Sequence, residues 1–95
     1  MTTRNASLPV TQTWSEITNG ETLTTVVFEN TGSTEVIIQA TASGTAPDAT
    51  QSGLVYGVKM GEAQLISVLF PGVAGANRLW ARTQSGQSSV FISHA

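Results

Sequence analysis

Along the chain, apolar and polar side chains alternate in short runs that end on Gly, Asn, Pro or Ser. Alternation with a period of two puts one row of side chains on each face of a strand, so each run predicts a short, half-buried β-strand. The runs fall near Val10–Thr18, Thr22–Asn30, Thr34–Ala42, Leu54–Met60, Ala63–Leu69, Asn77–Arg82 and Gln87–Ser93. No window holds helical periodicity for three turns, and no internal repeat is visible. About seven short strands at this spacing predict an all-β chain, an antiparallel β-sandwich of immunoglobulin-like or jelly-roll-like type. Residues 1–9 read as a polar N-terminal arm and residues 10–95 as a single sandwich domain. The small, polar stretch over residues 42–53, broken by Pro47, reads as an exposed loop.

Turn chemistry sets the expected pairing. Asn19-Gly20 is a strong hairpin signal because both residues tolerate positive φ, so the first two strands are expected to pair. That register puts Trp14 opposite Thr25, on the side of Leu23 and Val27. Gly32 in "NTGS" suits the left-handed position of a bulged loop. Ser85-Gly86 closes a terminal hairpin in which Leu79 faces Ile92, Ala81 faces Val90 and Trp80 faces Phe91.

These registers leave too many apolar faces. Val36, Ile38, Ala40 and Ala42 form one clean inner row, broken only by Ile37 on the other side. Val26 and Phe28 oppose Leu23 and Val27, and Trp80 and Phe91 lie opposite the Leu79/Ala81 row, with Arg78 and Arg82 beside the Trp. A strand of a two-layer sandwich has one inner face. An apolar outer face is therefore covered by a loop, by the arm or by another chain.

Composition weighs on that choice. Charged residues are 11% of the chain, against roughly 25% in an ordinary soluble domain, and Ser and Thr supply about a quarter. A weakly charged, hydroxyl-rich surface favours cover by another chain. Arg78, Trp80, Arg82, Phe91, Leu23 and Val27 are thus the expected protein-interface residues, in a homo-oligomer of three or more chains. Stacking of Arg on Trp80 would also suit a sugar ring, so a host glycan is a further conceivable ligand.

Other partners lack material. A net charge of −2 with four basic residues gives no phosphate-tracking stripe, so nucleic acid is not expected. No segment reaches transmembrane length, and "MTTRNASLPV" has no apolar signal-peptide run, so no membrane role is expected. Asn5-Ala6-Ser7 matches a glycosylation sequon that such a chain would not use.

Chemistry is equally short of groups. There is no Cys, one His and one Asp, so neither a disulfide framework nor a zinc or iron site is expected. A nucleophilic triad would have to join His94, beside the chain end, to Asp48 in an exposed loop. Glu16, Glu21, Glu29, Glu35 and Glu62 read as scattered solvated charges, and "TAPDATQS" is thin in oxygen ligands for Ca²⁺. No glycine pattern cradles a phosphate. The chain reads as a non-enzyme without cofactor or metal.

One resemblance gives these features a setting. Trp80-Ala81-Arg82, Ser85-Gly86, Val90-Phe91-Ile92 and Ser93-His94 form an aromatic-Ala-Arg strand, a Ser-Gly turn, a Val-rich strand and a terminal Ser-His. In this, and in "WSEITNGETLTTVVFENTGSTEVIIQAT", the chain resembles small virion proteins of tailed bacteriophages and phage-like gene transfer agents. The resemblance implies a β-rich structural protein assembled in the host cytoplasm into a virion, among other virion proteins. Head decoration, the base of a head fibre and a tail-fibre adaptor are the roles it implies. It carries no binding residues with it.

Overall fold

The alternation resolves into eight strands, which a computed structural model of the chain describes over residues 3–95. They are β1 (Arg4–Val10), β2 (Ser15–Glu16), β3 (Val26–Asn30), β4 (Val36–Thr41), β5 (Leu54–Tyr56), β6 (Gly61–Gln64), β7 (Arg78–Arg82) and β8 (Ser88–His94). One sheet has the order β1-β8-β3-β6 and the other β2-β7-β4-β5, with antiparallel pairing throughout. The chain is a two-layer β-sandwich, and this strand order is that of an eight-stranded jelly roll.

The core lies between the sheets. Val10, Val26, Phe28, Val90 and Ile92 from the first sheet meet Val36, Ile38, Ala40, Leu79 and Ala81 from the second. Phe28 and Tyr56 join the layers edge to face, with ring centroids 5.0 Å apart. The Val36, Ile38, Ala40 row points inward as its alternation predicts, and so do Val26 and Phe28.

Connectivity departs from the sequence-based pairing at both predicted hairpins. Gly20 and Gly86 do take positive φ, 77° and 70°. Yet the chain reverses at each by crossing from one sheet to the other. β7 pairs with β2 and β4, while β8 pairs with β1 and β3. Phe91 lies opposite Ser7 and Glu29, so the expected Trp80–Phe91 pair does not form. Trp14 does not face Thr25 but packs with Ile37 and Trp80. A turn residue fixes where the backbone reverses, and the burial of both flanking strands decides the plane of the turn. Of the consecutive strands, only β4 and β5 pair with each other.

The polar arm is also corrected. From Arg4 onward it is strand β1, held to β8 from Arg4↔His94 to Val10↔Ser88; residues 1 and 2 lie outside the described residues. Ala6, Leu8 and Val10 turn inward and alternate with exposed Asn5, Ser7 and Pro9, so the period of two is present. Arg4 at the head of the inner row and Pro9, which lacks an N–H, give the stretch the look of an arm. The predicted Val10–Thr18 strand breaks at 11–14, where the chain changes sheets. Beyond β6 the chain forms one helical turn, α1 (Ile66–Leu69), instead of continuing a strand. Ile66, Leu69, Phe70 and Val73 all pack on the core, and their i, i+3, i+4, i+7 spacing explains the turn. Gly32 is needed for close approach rather than for positive φ, since a Cβ there would collide with Ser88 Oγ and Ser89 N.

Candidate interaction surface

The outer face of the second sheet carries Trp80 and Ile37, joined by Trp14 from the segment before β2. This is the cover for Ile37 that its odd place in β4 called for. Loop 42–53 closes over the cluster as a strap, tied down by donors from the sheet and from the segment before β2. Trp14 Nε1 donates to Asp48 O (2.8 Å), Gln39 Nε2 to Ser52 O (2.9 Å) and Arg82 Nη2 to Gln51 O (2.9 Å). Trp80 Nε1 donates to Thr41 Oγ1 (2.8 Å), which itself donates to Ser43 O (2.6 Å). Trp80 is thereby left 7% exposed, covered by its own chain. Of the covers considered for it, the structure uses loop 42–53.

Arg82 lies over the ring of Trp14, 5.0 Å from its centroid, and not over Trp80. Its Nε is buried without a hydrogen-bond partner, so the π face carries part of the cost of holding that charge. Arg78 turns to the other end of the strand, where Nε stands 3.8 Å from Glu16 and Nη1 donates to Asn77 Oδ1 (3.0 Å). Phe91 is half-buried on the outer face of the first sheet, and Val27 is exposed on that same face. Leu23, 63% exposed, sits in the segment that leads into β3. The six expected interface residues therefore do not form one surface. Trp80 and the two arginines belong to the second sheet, and Leu23, Val27 and Phe91 to the first sheet and its approach.

A different set of apolar side chains lies together. Short connections at 11–14 and 57–60 place β1 beside β2 on one flank of the sandwich and β5 beside β6 on the other. On the β5/β6 flank, Leu54 is 39% exposed although it faces inward opposite Ile38, and Val55 is 55% exposed on the outer face. Val58 and Met60 stand out from the turn between the strands. That turn is fixed by Met60 N donating to Gly57 O (3.0 Å) and Lys59 N to Asn30 O (2.8 Å), with Lys59 at φ 67°. Asn30, fully buried, braces the corner: its Nδ2 donates to Thr34 O and Tyr56 O, and its Oδ1 accepts from Gly32 N and Ser88 Oγ. Sequence reasoning passed over this flank. The signal was present in "LVYGVKM", a run too apolar on both faces for a strand with one neighbour.

His94 and Asp48 are not brought together. His94 is not frayed but buried at the end of β8, where Nε2 accepts from Asn19 N (2.9 Å) and Nδ1 lies 3.3 Å from Thr22 Oγ1. Asp48 sits in the strap. The Thr50 backbone N–H, and then the Thr50 hydroxyl, hold its carboxyl below the usual range. The two share no partner. Glu16 is less solvated than expected, since its Oε2 accepts from Gly20 N (2.9 Å) and Thr18 Oγ1 (3.3 Å) beside Arg78. Burial, and secondly the charge of Glu62, raise the Tyr56 phenol. Among the described residues, no group of three or more His, Cys, Asp or Glu side chains converges as a metal site.

Compared with protein-family models, with curated proteins and with solved structures, the chain matches none.

Proposed function

We propose that this jelly roll is a structural subunit of a bacteriophage virion, a capsid-surface decoration or head-fibre base protein that works as a symmetric oligomer. The observation that supports it best is where the exposed bulk lies. Every exposed large apolar side chain among the described residues falls within 23–27 or 54–68, around β3, β5 and β6. A weakly charged chain that leaves this much apolar surface around three strands is suited to contact with other protein subunits. The burial of Trp80 and the occupation of Trp14 by Arg82 remove the aromatic platform that a glycan reading would use.

The test is antibody labelling of intact native particles, read by negative-stain electron microscopy. Label at regular positions on the head surface is the expected result. Label confined to the tail moves the protein to a tail or fibre role, and particles free of the protein overturn the virion reading.

A further inference from the structure

An oligomer needs a contact surface, and three features single out the β5/β6 flank. The first is the open core. On the β1/β2 flank inward-facing Val10 is wholly buried and Leu8 half-buried, whereas at the β5/β6 opening inward-facing Leu54 is exposed although its neighbour Tyr56 is buried. The second is the pair of edges. β5 and β6 each pair on one side only, as β1 and β2 do, but neither contains a residue without an N–H, whereas Pro9 blunts the β1 edge. The third is charge. Between 54 and 64 the only charged residues are Lys59 and Glu62, both exposed, and neither forms an ion pair among the described residues.

Resting on the oligomer reading of the function, we infer that two copies of this chain pack the β5/β6 flank against itself about a two-fold axis. Leu54, Val55, Val58 and Met60 fill the middle, and Lys59 of each copy faces Glu62 of the other. A two-fold contact uses the same patch on both partners, so the patch has to be self-complementary. One cation and one anion around a neutral apolar centre meet that requirement. A strongly basic or acidic partner finds no net charge here to answer its own. The size also fits. A standard contact covers about 800 Å² on each partner, roughly a sixth of this chain's 4887 Å² surface, which the flank supplies together with the adjoining outer faces that carry Val55. The turn that carries Val58, Lys59 and Met60 is already fixed by backbone hydrogen bonds to Gly57 and Asn30, so little order is lost when it docks.

Sedimentation velocity of the purified chain reads the contact directly. The expected mass is an even multiple of 9.9 kDa. Val55→Lys should raise the dissociation constant of the pair at least about thirtyfold, the loss typical of a central contact. Lys59→Glu and Glu62→Lys should each weaken pairing, and the double reversal should restore it, because only charges that meet across the axis can be exchanged. Circular dichroism melts establish that each variant is folded. A monomer at about 100 µM, a Val55→Lys pair as tight as the parent, or a double reversal that restores nothing overturns the inference. A chain that pairs by this flank yet never labels particles sinks the virion reading alone. A labelled particle protein whose association ignores Val55→Lys sinks the two-fold alone.

Discussion

The two flanks of the sandwich solve the same problem in opposite ways. Each ends in a pair of edge strands with unpaired backbone groups, which invite further strands. The β1/β2 flank is closed by its own chain. β1 is long, its outward residues Asn5, Ser7 and Pro9 are polar or lack an N–H, and Trp14 folds back under the strap. The β5/β6 flank has three- and four-residue strands and leaves Leu54, Val55 and Met60 in solvent. The position of exposed apolar bulk therefore says more than its amount. Scattered apolar side chains need no explanation, while a one-sided set in a fold with a guarded opposite flank does.

Trp80 separates a self-sealed flank from an intersubunit one by the largest effect. If the β2 side is self-sealed, Trp80→Ala empties a site filled within one chain and should cost about 3–5 kcal/mol of stability. Thermal unfolding measures this, and the association of whatever remains folded should be unchanged. A variant that melts normally but fails to associate would return Trp80 to an intersubunit role. The next effect is at His94. His94→Ala removes the acceptor for Asn19 N–H and should cost about 1–3 kcal/mol in urea unfolding, without abolishing any hydrolytic activity in a substrate screen. Loss of an activity on that change would overturn the non-enzymatic reading.

On the open flank the expected stability effect is smaller. Val55→Lys should shift unfolding by no more than about 0.5 kcal/mol when measured at concentrations where the chain is monomeric. A large loss would mean that Val55 is covered within the chain after all. The smallest effect is at Asp48. Its carboxyl is held below its ordinary value of 3.8, so the charged form favours the folded strap. That contribution is complete above 3.8 and fades as pH falls through the lower folded value. Trp fluorescence should therefore report a loosening of the strap below pH 3.8 that Asp48→Asn lacks.

Much of the layering was legible in the residues. The Val36, Ile38, Ala40 row marks an inner face, Val26 and Phe28 mark another, and Ile37 announces that β4 is covered twice. The pairing was not legible, for a reason visible at Ser85-Gly86 and Asn19-Gly20. Both are turns with the left-handed glycine that a hairpin wants, but in a jelly roll such turns link the two sheets. Side-chain alternation carries no information about that choice, since the inner face stays inner whichever sheet the strand joins. The same ambiguity moved Trp80 from a supposed outer pair with Phe91 to a cluster with Trp14, eleven positions from Phe91 but in the other layer. The strap was legible as a loop and as one of three covers open to Trp80; what chose it was not legible, because its contacts to the sheet are made by its backbone carbonyls, which every sequence possesses.

The strand order also dictates when the fold can form. β8 comes last of the eight strands in the chain but lies in the interior of its sheet, between β1 and β3. Until it is in place, β1 has no neighbour in that sheet, and β3 has only β6. During synthesis the first eighty or so residues can build the β2-β7-β4-β5 layer while the facing layer waits on Ser88–His94. Such long-range closure favours slow folding and leaves β1 and β3 without the strand that joins them until the end. A nascent chain stalled before residue 88 should therefore be protease-sensitive and prone to aggregate, and acquire resistance only once the last strand has emerged.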